Sequence, residues 1–439
     1  MVNTEASEEF LNAVSSGDIE RVEWSLANGA PIDSVDSHGL TALMKSIKLK
    51  DITIFKTLVK RGAKTDSVGV GGITPLMIAA ILDNLEVAEI LLKIKPIVNL
   101  RDSQHKTAAC YSAEKGHLNI LKLLYKYKAD VNDKDKDDDT LLHKACRTGS
   151  SEVAEFLIKN NARTTVLNKK LETPVTLAAS LGKWDVLSVL LENGCDPNTK
   201  DSVGNTPLIH STINANYTVT KMLLDYGANP NEKNNEEKTP IIYACVSGNV
   251  EIVGLLLEDG ATYYKEKQHP ILIACALGHK AIIDLFFLRG TDVNIKDSEL
   301  NTPLLEAVNS GNHELIEYLI EKGSNINHQD IYGNSALIKA VIKGNDSAVI
   351  KLLEKGADPN LIDSNGHTAL TWSRASGFTK LEEIIKTKID NEDLFIRKYI
   401  NGEVIEDEKT EPEIKEEGME IKPEVEDLES KDPLGGTPE

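Results

Sequence analysis

A tripeptide of the Thr-Pro-Leu type returns along this chain at a fixed step of 33 residues. It begins at Thr41, Thr74, Thr107, Thr140, Thr173, Thr206, Thr239, His269, Thr302, Ser335 and Thr368, and only the interval from Thr239 to His269 departs, at 30. One step back from Thr41 lies Glu8, a degenerate first copy that brings the total to twelve repeats. At about 150 residues per domain, 439 residues suggest three domains, but an unbroken short period replaces that reading with one solenoid. Each unit is too small to bury a core alone, so the repeats must stack.

Other columns keep the same phase. Five residues after the anchor stands Ala or Ser in all twelve copies, from Ala13 to Ser373. Gly falls nine residues after it in nine copies, Gly17 and Gly116 among them, and a second Gly twenty-one after it in eight. A large apolar residue holds the seventeenth place in eleven copies, as Leu58, Leu124 and Phe286 do. Thr followed by Pro predicts a helix start, with a hydroxyl cap and a ring that needs no N–H. A helix of about eight residues follows, and its small column lets neighbouring repeats approach closely. Gly breaks it at a C-terminal cap. A second helix then carries apolar residues at i, i+3 and i+4, as in residues 84–93, and a polar Asp/Asn turn leads to the next anchor.

This pattern resembles the ankyrin repeat, most closely in repeat seven from Gly204 and repeat eleven from Gly333. The resemblance covers residues 5–390 and implies an all-α solenoid with short turns or β-hairpin fingers. Departures carry expectations of their own. Lys95, Lys128 and Asn161 replace the second Gly in repeats three to five, which predicts altered helix ends or a kink there. The turn between Gly260 and His269 is three residues short, so one finger should be stunted. Residues 391–400 suggest a last capping helix, and atypical end repeats are what a stack requires.

Chemistry-bearing residues favour structural readings. Cys146, Cys245 and Cys275 occupy a column otherwise filled, before the last repeat, by Ala, Val, Ile or Thr, and His143 follows Thr-Leu-Leu where ankyrin repeats carry a structural His. Cys275 and His279 lie four apart with no second ligand pair nearby. The aspartates of residues 134–139 lack the glycine and distal glutamate of a calcium loop, so a solvated turn is expected. No phosphate-binding glycine loop, GxSxG or HExxH is present. The chain reads as non-enzymatic, without cofactor or metal.

Proteins of the resembled family bind protein partners at the turn tips and the exposed ends of the first helices, on the concave face. Those columns hold an apolar group at Leu40, Leu49, Ile73, Ile81 and Leu82. A charged stretch follows with Asp137, Asp139 and Arg147, then a second apolar group at Ile331, Tyr332 and Ile342. Apolar side chains rimmed by charge mark a candidate protein interface. The competing expectation is that the first group packs between neighbouring fingers.

Charge narrows the partners further. The chain carries 69 acidic and 49 basic residues, a net of −20, which opposes general binding to nucleic acid or anionic membranes. Residues 401–439 hold fifteen acids and four lysines, predicting a disordered acidic tail. That leaves −9 over the first 400 residues, so the repeat body is only mildly acidic. No apolar stretch approaches a membrane span and the amino end lacks a secretory h-region. Five cysteines, an odd number, fit reduced thiols. The expectation is an intracellular, cytoplasmic protein, nuclear entry left open, with monomers plausible. Its leading role is a scaffold or adaptor for protein partners; the alternative is a stoichiometric inhibitor whose tail masks a basic surface.

Overall fold

The computed structural model of the protein describes residues 4–95, 97–263 and 269–402. Contacts divide the chain into two compact units, Met1–Thr262 with repeats one to eight and Tyr263–Glu439 with repeats nine to twelve. Within each unit every repeat supplies two helices. In repeat five they are Leu141–Thr148 and Ser151–Lys159, and in repeat ten Pro303–Ser310 and His313–Glu321. First helices pack on first helices of adjoining repeats and second on second, giving two helical layers per unit.

The columns explain this packing. Thr140 Oγ1 accepts the His143 N–H at 3.4 Å, and His143 Nδ1 accepts the Thr140 N–H at 3.2 Å, closing both ends of a capping box. His143 is thus a structural histidine, buried and holding the Glu172 carbonyl through Nε2 at 3.1 Å. Ala145, Ala178, Ala244 and Ala340 are wholly buried between first helices, where larger side chains would force the layers apart. Leu58, Leu124, Leu157, Leu190 and Phe286 fill the space between layers with no exposed surface. All five cysteines are buried free thiols, and burial pushes those of Cys146, Cys245 and Cys275 well above their ordinary range.

Two of the three second-helix replacements keep the glycine conformation. Lys128 (φ 71°) and Asn161 (φ 66°) are left-handed, so those helices end as their neighbours do. Lys95 differs, with φ −146° and ψ 99°. The next residue in sequence is Pro96, which disfavours helical backbone in the residue before it, so the ending is extended. At the chain's far end Glu392–Phe395 and Ile396–Ile400 are helical, and Phe395 is fully buried.

An asparagine column latches successive repeats. Asn132 Oδ1 accepts the Arg163 N–H at 2.8 Å while its Nδ2 donates to the Asn161 carbonyl at 3.3 Å. Asn231 does the same with Thr262 and Gly260, and Asn294 with Asn325 and Gly323. Each asparagine thus satisfies a helix-end carbonyl that would otherwise lack a partner.

Candidate protein interface

Each finger is a tight turn rather than a pair of strands; the described residues contain only isolated antiparallel bridges such as Lys134 with Thr140. Its base is an Asp or Asn five residues before the anchor. Asp201 Oδ1 accepts the N–H groups of Val203 and Asn205 at 3.0 and 2.8 Å, an Asx turn that fixes the tip. In seven repeats the remaining oxygen or amide binds the residue of the first helix four past the anchor. In repeats six and ten that residue is Leu177 or Glu306, and Asn168 and Asp297 bind finger residues instead. Asp36 takes Lys45 at 2.8 Å, Asp201 takes His210 at 2.8 Å, Asn234 takes Tyr243 at 2.8 Å and Asp363 takes Trp372 at 2.8 Å. The fingers are thereby pinned over the first helices, which gives a partner a preformed surface at little ordering cost. Neighbouring tips join by single backbone bonds, such as Lys136 N–H to the Gln104 carbonyl at 2.9 Å.

Tip backbone is strained where glycine is missing. From repeat two on, the residue two before the anchor has positive φ in every finger where it is described, Gly204 among them, and Leu171 holds it at φ 60° with its side chain exposed. A left-handed leucine costs roughly 1–2 kcal/mol. Leu171→Gly is therefore expected to raise stability by about 1 kcal/mol in urea unfolding.

Repeat three lacks the acidic base. Gly69 stands there, and a Cβ on it would lie 3.0 Å from Ile73 Cγ2 and 3.4 Å from Leu40 Cδ2. Leu40 and Ile73 are accordingly half-buried around this glycine, and Leu49 and Ile81 are half-buried as well. Leu82 is 48% exposed and Val70, on the same finger as Ile73, is 71% exposed. So this apolar group is split: Leu40 and Ile73 pack between fingers, while Leu82 with Val70 faces outward. In the second unit Ile331, Tyr332 and Ile342 are all exposed.

The charged stretch in repeat five needs correction. Asp139, expected to meet a partner, is 2% exposed and internally bound. Arg147 Nε donates to it at 2.9 Å and Asn168 Nδ2 at 2.9 Å, while Lys144 lies between Asp139 and Asp135. Arg147 is half-buried and also reaches Glu172 at 3.5 Å. Asp137 stays exposed. The expected solvated turn is therefore a buried ion cluster, built because two carboxylates drawn under the finger require cations beside them. Burial pushes the Asp139 carboxyl up, but Arg147, Asn168 and Lys144 outweigh it and hold it at about 2. This contribution is complete above about pH 4 and is lost as pH falls towards 2.

The family model described as ankyrin repeats (3 copies) matches residues 10–102, 67–135, 94–168, 175–267 and 271–363. The chain belongs to the ankyrin repeat family. None of the curated proteins compared with it matches. Ankyrin repeats are generally protein–protein interaction modules and typically non-catalytic. No described helix is long and apolar enough to cross a membrane. The three-residue deficit before His269 and the acidic run of the tail fall mainly at 264–268 and 403–439, outside the described residues. Val70 escaped the sequence reading because the face was represented there by Ile73. The Asp/Asn column was hidden by its changing partners: Lys, His, Tyr and Trp.

Proposed function

We propose that this ankyrin repeat protein is a non-catalytic scaffold or adaptor that binds partner proteins on the face formed by its fingers and first-helix ends. One observation carries the reading. Among the described residues of the first unit, nine of the fifteen exposed large hydrophobic residues lie on that face: Val35, Val68, Val70, Leu82, Leu167, Leu171, Leu181, Val203 and Ile213. Exposed apolar residues gathered on one pinned surface are what a protein partner buries. Five buried free thiols support a reducing, intracellular setting.

The double variant Val70→Ser/Leu82→Ser tests the site. Both side chains are exposed, so the unfolding free energy should change by no more than about 0.5 kcal/mol. Partners identified by mass spectrometry on the full chain should be lost from the variant and retained by a control altered at Trp24, on a second helix. Equal retention by both would count against this face.

A further inference from the structure

The second helices end on a column of charge that changes sign once. Repeats two to five place Lys60, Lys93, Lys126 and Lys159 there, and repeats six to eight place Glu192, Asp225 and Glu258; all seven are exposed. Helix stability does not account for this. A helix C-terminus favours Lys in every repeat and disfavours the three acids. The adjacent column reads Tyr127, Asn160, Asn193 and Tyr226 over repeats four to seven, the same in either direction.

We propose that this surface is self-complementary and docks a second copy of the chain about a two-fold axis between repeats five and six. A two-fold contact sets each patch against its own counterpart. In this register Lys93 meets Glu258, Lys126 meets Asp225 and Lys159 meets Glu192, each pair occurring twice. Tyr127 meets Tyr226 and Asn160 meets Asn193. Moving the axis onto repeat five sets Lys159 against its own copy, and onto repeat six sets Glu192 against its own, so only this register avoids like charge. Lys126 and Asp225 make no ion pair among the described residues, leaving both available, whereas Lys93 and Lys159 pair with Glu89 and Glu155 on their own helices and would exchange those partners. Exposed ion pairs are individually weak, but the row also carries apolar surface: Ile94 is 52% exposed, Tyr125 38% and Tyr226 42%. A hollow of about 470 Å³, lined by Tyr217, Glu251, Gly254, Leu255 and Glu258, adjoins the place where repeat three of the partner copy would lie.

Sedimentation of the full chain tests this. A dimer is expected at micromolar concentration in about 50 mM salt, weakening about tenfold or more by 300 mM. Lys126→Glu and Asp225→Lys should each give monomers, because each sets like charges together twice. The double variant Lys126→Glu/Asp225→Lys should dimerise again, and so should an equimolar mixture of the two single variants. Unchanged circular dichroism would show all three to be folded. A wild-type chain that stays monomeric at about 100 μM in low salt would overturn the proposal. So would a dimer indifferent to both reversals, or a double variant as monomeric as the single ones.

Discussion

Replacing Lys144 by leucine is expected to lower the unfolding free energy by about 3–5 kcal/mol. The Lys144 side chain is 8% exposed and its ammonium sits between Asp135 and Asp139, whose side chains are 2% and 3% exposed. Burial pushes the Lys144 ammonium down, yet its two carboxylates outweigh that and raise it above its ordinary range. Without it Asp139 keeps Arg147 and Asn168, but Asp135 loses its cation and retains only the N–H groups of Asp137 and Asp139. Repeat six shows the remedy. There the same two positions are Asn168 and Leu177, both buried, and the finger keeps its turn through Asn168 Oδ1. Asp135→Asn added to Lys144→Leu should therefore recover most of the loss. Urea unfolding of the two variants measures this; equal stability of single and double variants would refute the role given to the buried charge.

The second large effect is acid sensitivity centred on His269. Every other anchor from Thr41 onward is Thr or Ser, whereas His269 caps its helix by accepting the Ile271 N–H on Nδ1 at 3.2 Å. Tyr263 packs edge-on against the imidazole at 5.2 Å and against Phe286 at 5.0 Å, and His269 is 3% exposed. Burial holds it neutral and lowers it from its ordinary 6.5 to about 4. The unfolded chain binds the proton near pH 6.5 and the folded chain does not until about pH 4. Stability is thus complete above pH 6.5 and falls as pH drops from 6.5 to 4, by about 3 kcal/mol from this group. Protonation also removes the acceptor the cap needs. His269→Thr, which restores a hydroxyl cap, should lose about 3 kcal/mol less than wild type over that range in urea unfolding at stepped pH. Parallel losses in both chains would refute it.

The fold was legible because each repeat column has one physical task repeated many times. Ala and Ser at the small column admit no other reading once twelve copies agree. Legibility ended where one backbone state accepts several residues. Lys128 and Asn161 reach the left-handed cap that glycine takes, while Lys95 does not, and the difference is set by the following proline. The interface was legible in phase but not in exposure. Ile73 and Val70 share a finger, and only their packing around Gly69 and Gly39 separates the half-buried residue from the exposed one. Asp137 and Asp139 are two positions apart on a turn that sends one outward and the other beneath it. Sequence counts the charges there; the direction of each side chain decides which are available to a partner.

Hydrogen–deuterium exchange on the full chain, with and without a captured partner, tests the binding face most directly. Slowed exchange is expected at the finger tips and first-helix ends of repeats two and three, residues 37–40, 70–73 and 81–82, with the second helices unchanged. Protection confined to second helices, with those finger amides exchanging as in the free chain, would contradict the assignment of the face.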